Sequence, residues 1–216
     1  MAKFNKDEWI VIGISGVTCG GKTTLANRIK EAVVPVYVFH QDKYFYPDDS
    51  PKHIKCPSMD HNNYDILSAL DMEKMFQDII DTLNGRDKSH ANNLARTAGK
   101  KEIKGKKFLI AEGFTALNYK PIMDICNLRG DHQCGVRRRY YLVLEYEACA
   151  SRRVFRLYDP PDAPGYFERC VWPEHLKYRA EIEKDRRVTL LDGTIPDVFT
   201  HVLNDVISLG AVDVAD

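Results

Sequence analysis

The sequence predicts an α/β protein built on a parallel five-stranded sheet flanked by helices. Three observations predict it. Short apolar runs rich in β-branched and aromatic residues alternate with segments whose apolar residues recur at helical spacing, the pattern of strands joined by crossover helices. A glycine-rich turn, Gly16-Val-Thr-Cys-Gly-Gly21-Lys22-Thr23, lies between the first run and the first helical segment. Three of the runs end in a polar or acidic group, at the carboxyl edge where parallel sheets receive ligands.

Trp9 to Ile14 has the length and β-branched content of a buried strand, and Leu25, Ala26, Ile29, Ala32 and Val33 predict a helix after the glycine-rich turn. Val36-Tyr-Val-Phe39 is a second strand, closed by His40-Gln41-Asp42. From Tyr44 to Asn63 the chain is rich in Pro, Asp, Asn and His without periodicity. A loop of that length in a compact domain is functional or disordered. Asp71 is placed to cap a helix whose apolar face is Met72, Met75, Phe76, Ile79, Ile80 and Leu83. The polar, Lys-rich stretch from Asn84 to Lys107 reads as a surface excursion. Phe108 to Ala111 is a third strand running into Glu112, and Tyr140 to Leu144 is a fourth. Glu147 to Leu157 is helix-compatible until Asp159-Pro-Pro-Asp-Ala-Pro-Gly165 breaks it. Pro173 opens another helix and Val188 to Leu191 is the fifth strand. A last helix, from about Thr194 to Pro196, turns Val198, Phe199, Val202, Leu203, Val206 and Ile207 to one face. No repeat or linker divides the 216 residues, so one domain over 1–216 is expected, with a lid segment at about 152–168.

Lys plus Arg and Asp plus Glu balance at 31 each, which leaves no electrostatic footprint for nucleic acid or a membrane surface. The basic triplet Arg137 to Arg139 and the lysines between Lys100 and Lys107 read as solvated faces. No apolar run reaches the length of a membrane span, and Met1 to Glu8 is polar, unlike a signal peptide. The six cysteines are scattered with no C-x-x-C pair, so free thiols in a reducing, cytoplasmic compartment are expected.

The glycine-rich turn matches G-x-x-x-x-G-K-[ST], the phosphate-binding P-loop, in its required strand–turn–helix setting. Backbone N–H groups from Gly16, Val17, Thr18, Cys19, Gly20 and Gly21 converge on phosphate oxygens, and the following helix adds its N-terminal dipole. Lys22 reaches the β- and γ-phosphates of ATP, the Thr23 hydroxyl is a ligand for Mg²⁺, and Thr24 continues the loop's phosphate contacts. Asp42, at the end of the second strand, is the candidate general base for an acceptor hydroxyl. Glu112, at the end of the third, is the candidate for holding Mg²⁺ or its water. Turn-forming and strand-end roles compete with both readings. Arg152, Arg153 and Arg156 share one predicted helix before the proline-rich break, which suits a lid over ATP, a solvated basic helix being the alternative.

Several blocks resemble the nicotinamide riboside kinase family. They are Ile12 to Thr18 with Gly21 to Ala26, Gln41-Asp42 with Phe45, Tyr64-Asp65-Ile-Leu, Ile110 to Phe114 and Asn118 to Pro121. The most specific is Arg156-Leu-Tyr-Asp-Pro-Pro-Asp-Ala-Pro-Gly-Tyr-Phe167, followed by Val171-Trp-Pro173, Leu176 to Arg179 and Leu191 to Thr194. The resemblance is colinear from residue 10 to about 194. It implies a P-loop kinase fold with a small lid, and transfer of the ATP γ-phosphoryl group to the 5′-hydroxyl of nicotinamide riboside in NAD biosynthesis. By that resemblance Asp42 is the base, and Lys22, Thr23 and Glu112 serve ATP and Mg²⁺. Asp65 and Arg153 hold the ribose hydroxyls, Tyr64 and Tyr158 enclose the pyridinium ring, and Arg152 and Arg156 face the phosphates. The chain departs from the family at Cys19-Gly20, where Asn-Ser is more frequent, and at Lys43, where a second acid is usual.

The partners expected are therefore small molecules, with a monomer as the working unit. A uridine–cytidine or pantothenate kinase of the same fold would use the P-loop, Asp42 and Glu112 equally well. A nucleotide-binding protein without catalysis would be expected to lose the base, the lysine or the arginines, all of which have candidates here.

Overall fold

A computed structural model describes residues 4–5, 7–57, 59–86, 101–103, 105–126 and 138–212. Much of the predicted excursion from Asn84 to Lys107, and residues 127–137 with Cys134 and Arg137, fall outside the described residues.

Five strands form one sheet: β1 (Trp9–Gly16), β3 (Val36–His40), β5 (Lys107–Glu112), β6 (Arg139–Val143) and β7 (Thr189–Asp192). Their order is β3-β5-β1-β6-β7 and each neighbouring pair is parallel. Two further two-residue strands, β2 (Val33–Val34) and β4 (Lys101–Glu102), pair with each other outside this sheet. The five predicted strands are all present.

Every residue of β1 is buried, as expected for a central strand covered on both faces. Its side chains alternate. Ile10, Ile12 and Ile14 pack with Leu25, Ala26 and Ile29 of α1 (Lys22–Ala32) and with Val202 and Val206 of α6 (Val198–Val212). Trp9 and Val11 point the other way, to Met75 and Ile79 of α2 (Met72–Leu83), Ile122 of α3 (Lys120–Ile125) and Ile182 of α5 (Trp172–Ile182). Asp71 caps α2 as predicted, its carboxylate accepting the Lys74 N–H at 3.0 Å.

Local differences have local causes. Val33 lies in β2 rather than in α1, because Pro35 two residues on cannot extend a helix. The helix predicted over Glu147 to Leu157 is shorter: α4 spans Tyr146–Arg153 and the chain then turns, with Arg156 N–H bonded to Arg153 O at 2.9 Å. Arg156 is therefore not one helical turn above Arg152, and the shared basic face does not exist. At the end of the predicted lid, Phe167–Val171 forms one wide helical turn that leads straight into α5. Among the described residues no helix is long and apolar enough to cross a membrane.

Candidate active site

β1 delivers the chain into the P-loop at Gly16. Its φ is 135°, and a Cβ there would lie 2.1 Å from the Leu142 carbonyl oxygen, so only glycine permits this approach to β6. The loop is held by Val17 N–H to Leu142 O at 3.0 Å and Gly20 N–H to Val17 O at 3.2 Å. Cys19 adopts a left-handed φ of 58°, and Gly21, at φ 92°, is the residue preceding α1. The amino end of α1, with its unsatisfied N–H groups, thus opens into the loop. Thr24 lies exposed in that first turn.

Lys22 donates to Val17 O at 2.9 Å, folding back across the loop it follows. Burial lowers its pKa, against the opposing charges of Glu112 and Asp42. Arg152 bridges two backbone carbonyls, Cys19 O at 3.2 Å and Gly193 O at 3.3 Å, and so ties the P-loop to the turn after β7.

The register of β3 and β5 sets His40 beside Glu112 at the carboxyl edge. Glu112, 2% exposed, accepts from the Thr23 hydroxyl at 3.0 Å, and its same oxygen lies 2.6 Å from His40 Nδ1. A serine/threonine hydroxyl and a carboxylate in contact are the oxygen donors that a hard cation such as Mg²⁺ takes while keeping several waters. No cluster of three or more His, Cys, Asp or Glu suited to a metal occurs among the described residues, and such a hydrated ion requires none.

Asp42 follows one residue after a fully buried glutamine. The Gln41 amide donates to Thr115 Oγ1 at 3.0 Å and to Met72 Sδ at 3.2 Å, and accepts the Thr115 N–H at 3.1 Å. These bonds fix the backbone from which Asp42 projects. Asp42 is an exposed residue on the cavity wall, yet desolvation of its carboxylate by the surrounding protein raises its pKa; the Lys22 charge works in the opposite direction.

A cavity of about 400 Å³ opens beside these groups. Lys22, Thr23, Asp42, Tyr64, Asp65, Arg153, Arg156 and Tyr158 all line it, together with Phe45, Phe114 and Tyr166. Tyr64 stands edge-on to Phe45, ring centroids 6.0 Å apart, and donates its hydroxyl to Asp48 at 3.2 Å. The Tyr158 ring carries the Arg153 guanidinium 4.2 Å and that of Arg156 5.3 Å from its centroid. Arg153 is 7% exposed and forks onto Asp162 through Nε at 2.7 Å and a terminal nitrogen at 3.0 Å. Its other terminal nitrogen donates to Thr18 Oγ1 at 3.0 Å, so one guanidinium joins the P-loop to the segment beyond α4. Burial raises the pKa of Asp65, while the Arg153 charge and a hydrogen bond from the Tyr166 hydroxyl lower it.

Among the predicted residues, Glu112, Arg152, Thr24 and the P-loop residues Gly16, Val17, Cys19, Gly20 and Gly21 are not part of the cavity wall. Glu112 reaches the site through Thr23, and Arg152 contacts P-loop and Gly193 carbonyls rather than cavity space. The sequence assigns no role to His40, Gln41, Asp162 or Tyr166, although the last three lie in the family blocks, because their contacts with Glu112, Thr115, Arg153 and Asp65 follow no spacing pattern. The expectation of six free thiols is also corrected. Cys56 and Cys170, 114 residues apart in sequence with Cα atoms 6.4 Å apart, are paired, whereas Cys19 and Cys149 carry free thiols. A pair so distant leaves no motif to read.

No family model matches the chain. Among curated proteins it is 39% identical over 199 residues to nicotinamide riboside kinase 1 of Rattus norvegicus, covering 91% of this chain and 93% of that protein. It is 36% identical over 203 residues to human nicotinamide riboside kinase 2, covering 91% of this chain and 80% of that one. A uridine kinase of Staphylococcus carnosus is 30% identical over only 125 residues, 55% of this chain and 59% of the kinase. Identity at this level over nine-tenths of the chain, on a parallel sheet with a P-loop at its edge, shows that the chain belongs to the nicotinamide riboside kinase family.

Proposed function

We propose that this protein transfers the γ-phosphoryl group of ATP to the 5′-hydroxyl of nicotinamide riboside, giving nicotinamide mononucleotide for NAD synthesis. The observation that carries the reading is the single cavity joining Lys22, Thr23 and Asp42 to Tyr64, Asp65, Arg153 and Tyr158. Donor and acceptor groups then occupy one space, as in-line transfer demands.

In this reading the P-loop N–H groups from Gly16 to Gly21 cradle the triphosphate and Lys22 draws charge from the transferring group. Lys22 is well suited to this while it stays protonated, which the neighbouring Glu112 and Asp42 carboxylates favour. Thr23 and Glu112 would hold Mg²⁺, which would supply positive charge against that developing on the phosphates. Asp42 takes the proton of the attacking hydroxyl. Asp65 and Arg153 grip the ribose diol, acceptor and donor respectively. Tyr64 and Tyr158 present aromatic faces to a cationic ring, a favourable pairing in a desolvated site. The segment at about 152–168 acts as the lid, with Arg156 turned to the phosphates and Arg152 setting the loop that holds them. We further propose a monomeric, cytoplasmic enzyme acting only on small molecules.

Aromatic walls and a ribose grip favour a nucleoside over pantothenate, which has neither ring nor vicinal diol. The deciding experiment is an ATP-consumption assay across nicotinamide riboside, nicotinic acid riboside, uridine, cytidine and pantothenate. Turnover of a pyridine riboside is expected; turnover of uridine or pantothenate alone would overturn the assignment.

A further inference from the structure

We infer that Tyr166 is a positioning residue for the phosphoryl acceptor: its hydroxyl sets both the Asp65 carboxylate and the backbone of Tyr64. This deepens the proposed riboside reading and rests on it.

Tyr166 is 2% exposed, with its edge on the cavity wall. Its hydroxyl accepts the Tyr64 N–H at 2.9 Å and donates to Asp65 Oδ2 at 2.8 Å. A phenol has one proton to give, and here it goes to the carboxylate, leaving an oxygen lone pair for the amide. One atom therefore fixes two consecutive acceptor-site residues. The ring cannot drift, because His61 packs edge-on to it with centroids 4.6 Å apart and the Arg153 guanidinium lies 5.9 Å from its centroid.

The position of Tyr166 in the chain adds to this role. It stands at the end of the proposed lid, one residue before the wide turn Phe167–Val171 that leads into α5. The acceptor loop is thus hung on the root of the segment that carries Arg153, Arg156 and Tyr158. Cys56, ahead of that loop, meets Cys170 in the same turn.

A second tyrosine supplies an internal control. Tyr178 of α5 accepts the Leu67 N–H at 2.9 Å, holding the same loop two residues past Asp65. It touches neither Asp65 nor Tyr64 by any hydrogen bond among the described residues. A purely structural role would make the two tyrosines equivalent.

The test compares Tyr166→Phe and Tyr178→Phe in the full chain with ATP and nicotinamide riboside, with melting temperatures recorded for both. Removing a hydrogen bond to a charged group should raise the riboside KM by about tenfold in Tyr166→Phe. The KM for ATP and kcat should stay within about twofold, and Tyr178→Phe should keep the wild-type riboside KM. A pH profile gives a second readout. Asp65 faces Arg153, Lys22, Asp162 and Tyr166, and its carboxylate loses a bond that favours ionisation. The acidic limb of kcat/KM for the riboside should therefore move to higher pH in Tyr166→Phe alone. Equal effects of the two substitutions, or equal effects on both substrates, would overturn the inference. Wild-type protein that phosphorylates no riboside would overturn the functional reading and this inference with it, whereas normal wild-type turnover with an unaltered Tyr166→Phe variant would overturn only the latter.

Discussion

The Thr23 hydroxyl donates to Glu112 Oε1 at 3.0 Å, joining the first turn of α1 to the end of β5 across 89 residues of sequence. P-loop and strand-edge acid therefore meet as one oxygen-donor pair, the arrangement expected to hold Mg²⁺. Replacing Glu112 by Gln keeps the shape and removes the charge. The Mg²⁺ concentration needed for half-maximal rate should rise about 10- to 100-fold, read from a metal titration of kcat. An unchanged titration would take Glu112 out of the metal site.

Asp42→Asn should bind ATP normally and lose about 10²-fold or more in kcat, the usual contribution of a general base. The pH profile supplies the sign. Desolvation by the surrounding protein raises the Asp42 pKa above the ordinary 3.8, so the active ionised form disappears as pH falls through that raised value. Wild-type kcat should show this acidic limb and Asp42→Asn should lack it. A loss smaller than about threefold would exclude the role.

Tyr158→Ala should raise the riboside KM far more than the ATP KM, measured by varying each substrate in turn. Tyr158→Phe should retain most of the riboside affinity, since the ring facing Arg153 and Arg156 remains. The phenol loses its contacts with Thr18 Oγ1 at 3.3 Å and Cys19 Sγ at 3.9 Å. Equal effects on both substrates from Tyr158→Ala would point to packing instead.

Gly16→Ala should destabilise the fold by about 2 kcal/mol or more, since it combines a disfavoured φ with a clash on Leu142 O. Denaturant unfolding measures this directly. Gly85→Ala is the contrast: φ is 70°, but nothing lies within 4 Å of the added Cβ. Its cost should be about 1 kcal/mol, from backbone strain alone.

By itself the sequence determined the strands, the P-loop and the placing of Asp42 just past β3, in the turn Gln41–Tyr44, and of Glu112 at the end of β5. Each of these is a local property: apolar periodicity, glycine at a turn, an acid after a buried run. The family resemblance added acceptor roles for Tyr64, Asp65, Arg153 and Tyr158, and all four line one cavity with Lys22. Local reading failed at Arg156, because a helix-compatible composition does not show where tertiary contacts end a helix. Here Arg153 leaves α4 to fork onto Asp162 and reach Thr18. Only the tertiary structure decided the strand order, the Gln41 bonds that set Asp42, the Cys56–Cys170 pairing and the Tyr166 hydroxyl behind Tyr64 and Asp65. The physical reason is common to all four. A hydrogen bond or strand pairing between residues dozens of positions apart imposes no period on the chain, so it exists only once the sheet has brought its carboxyl edge together.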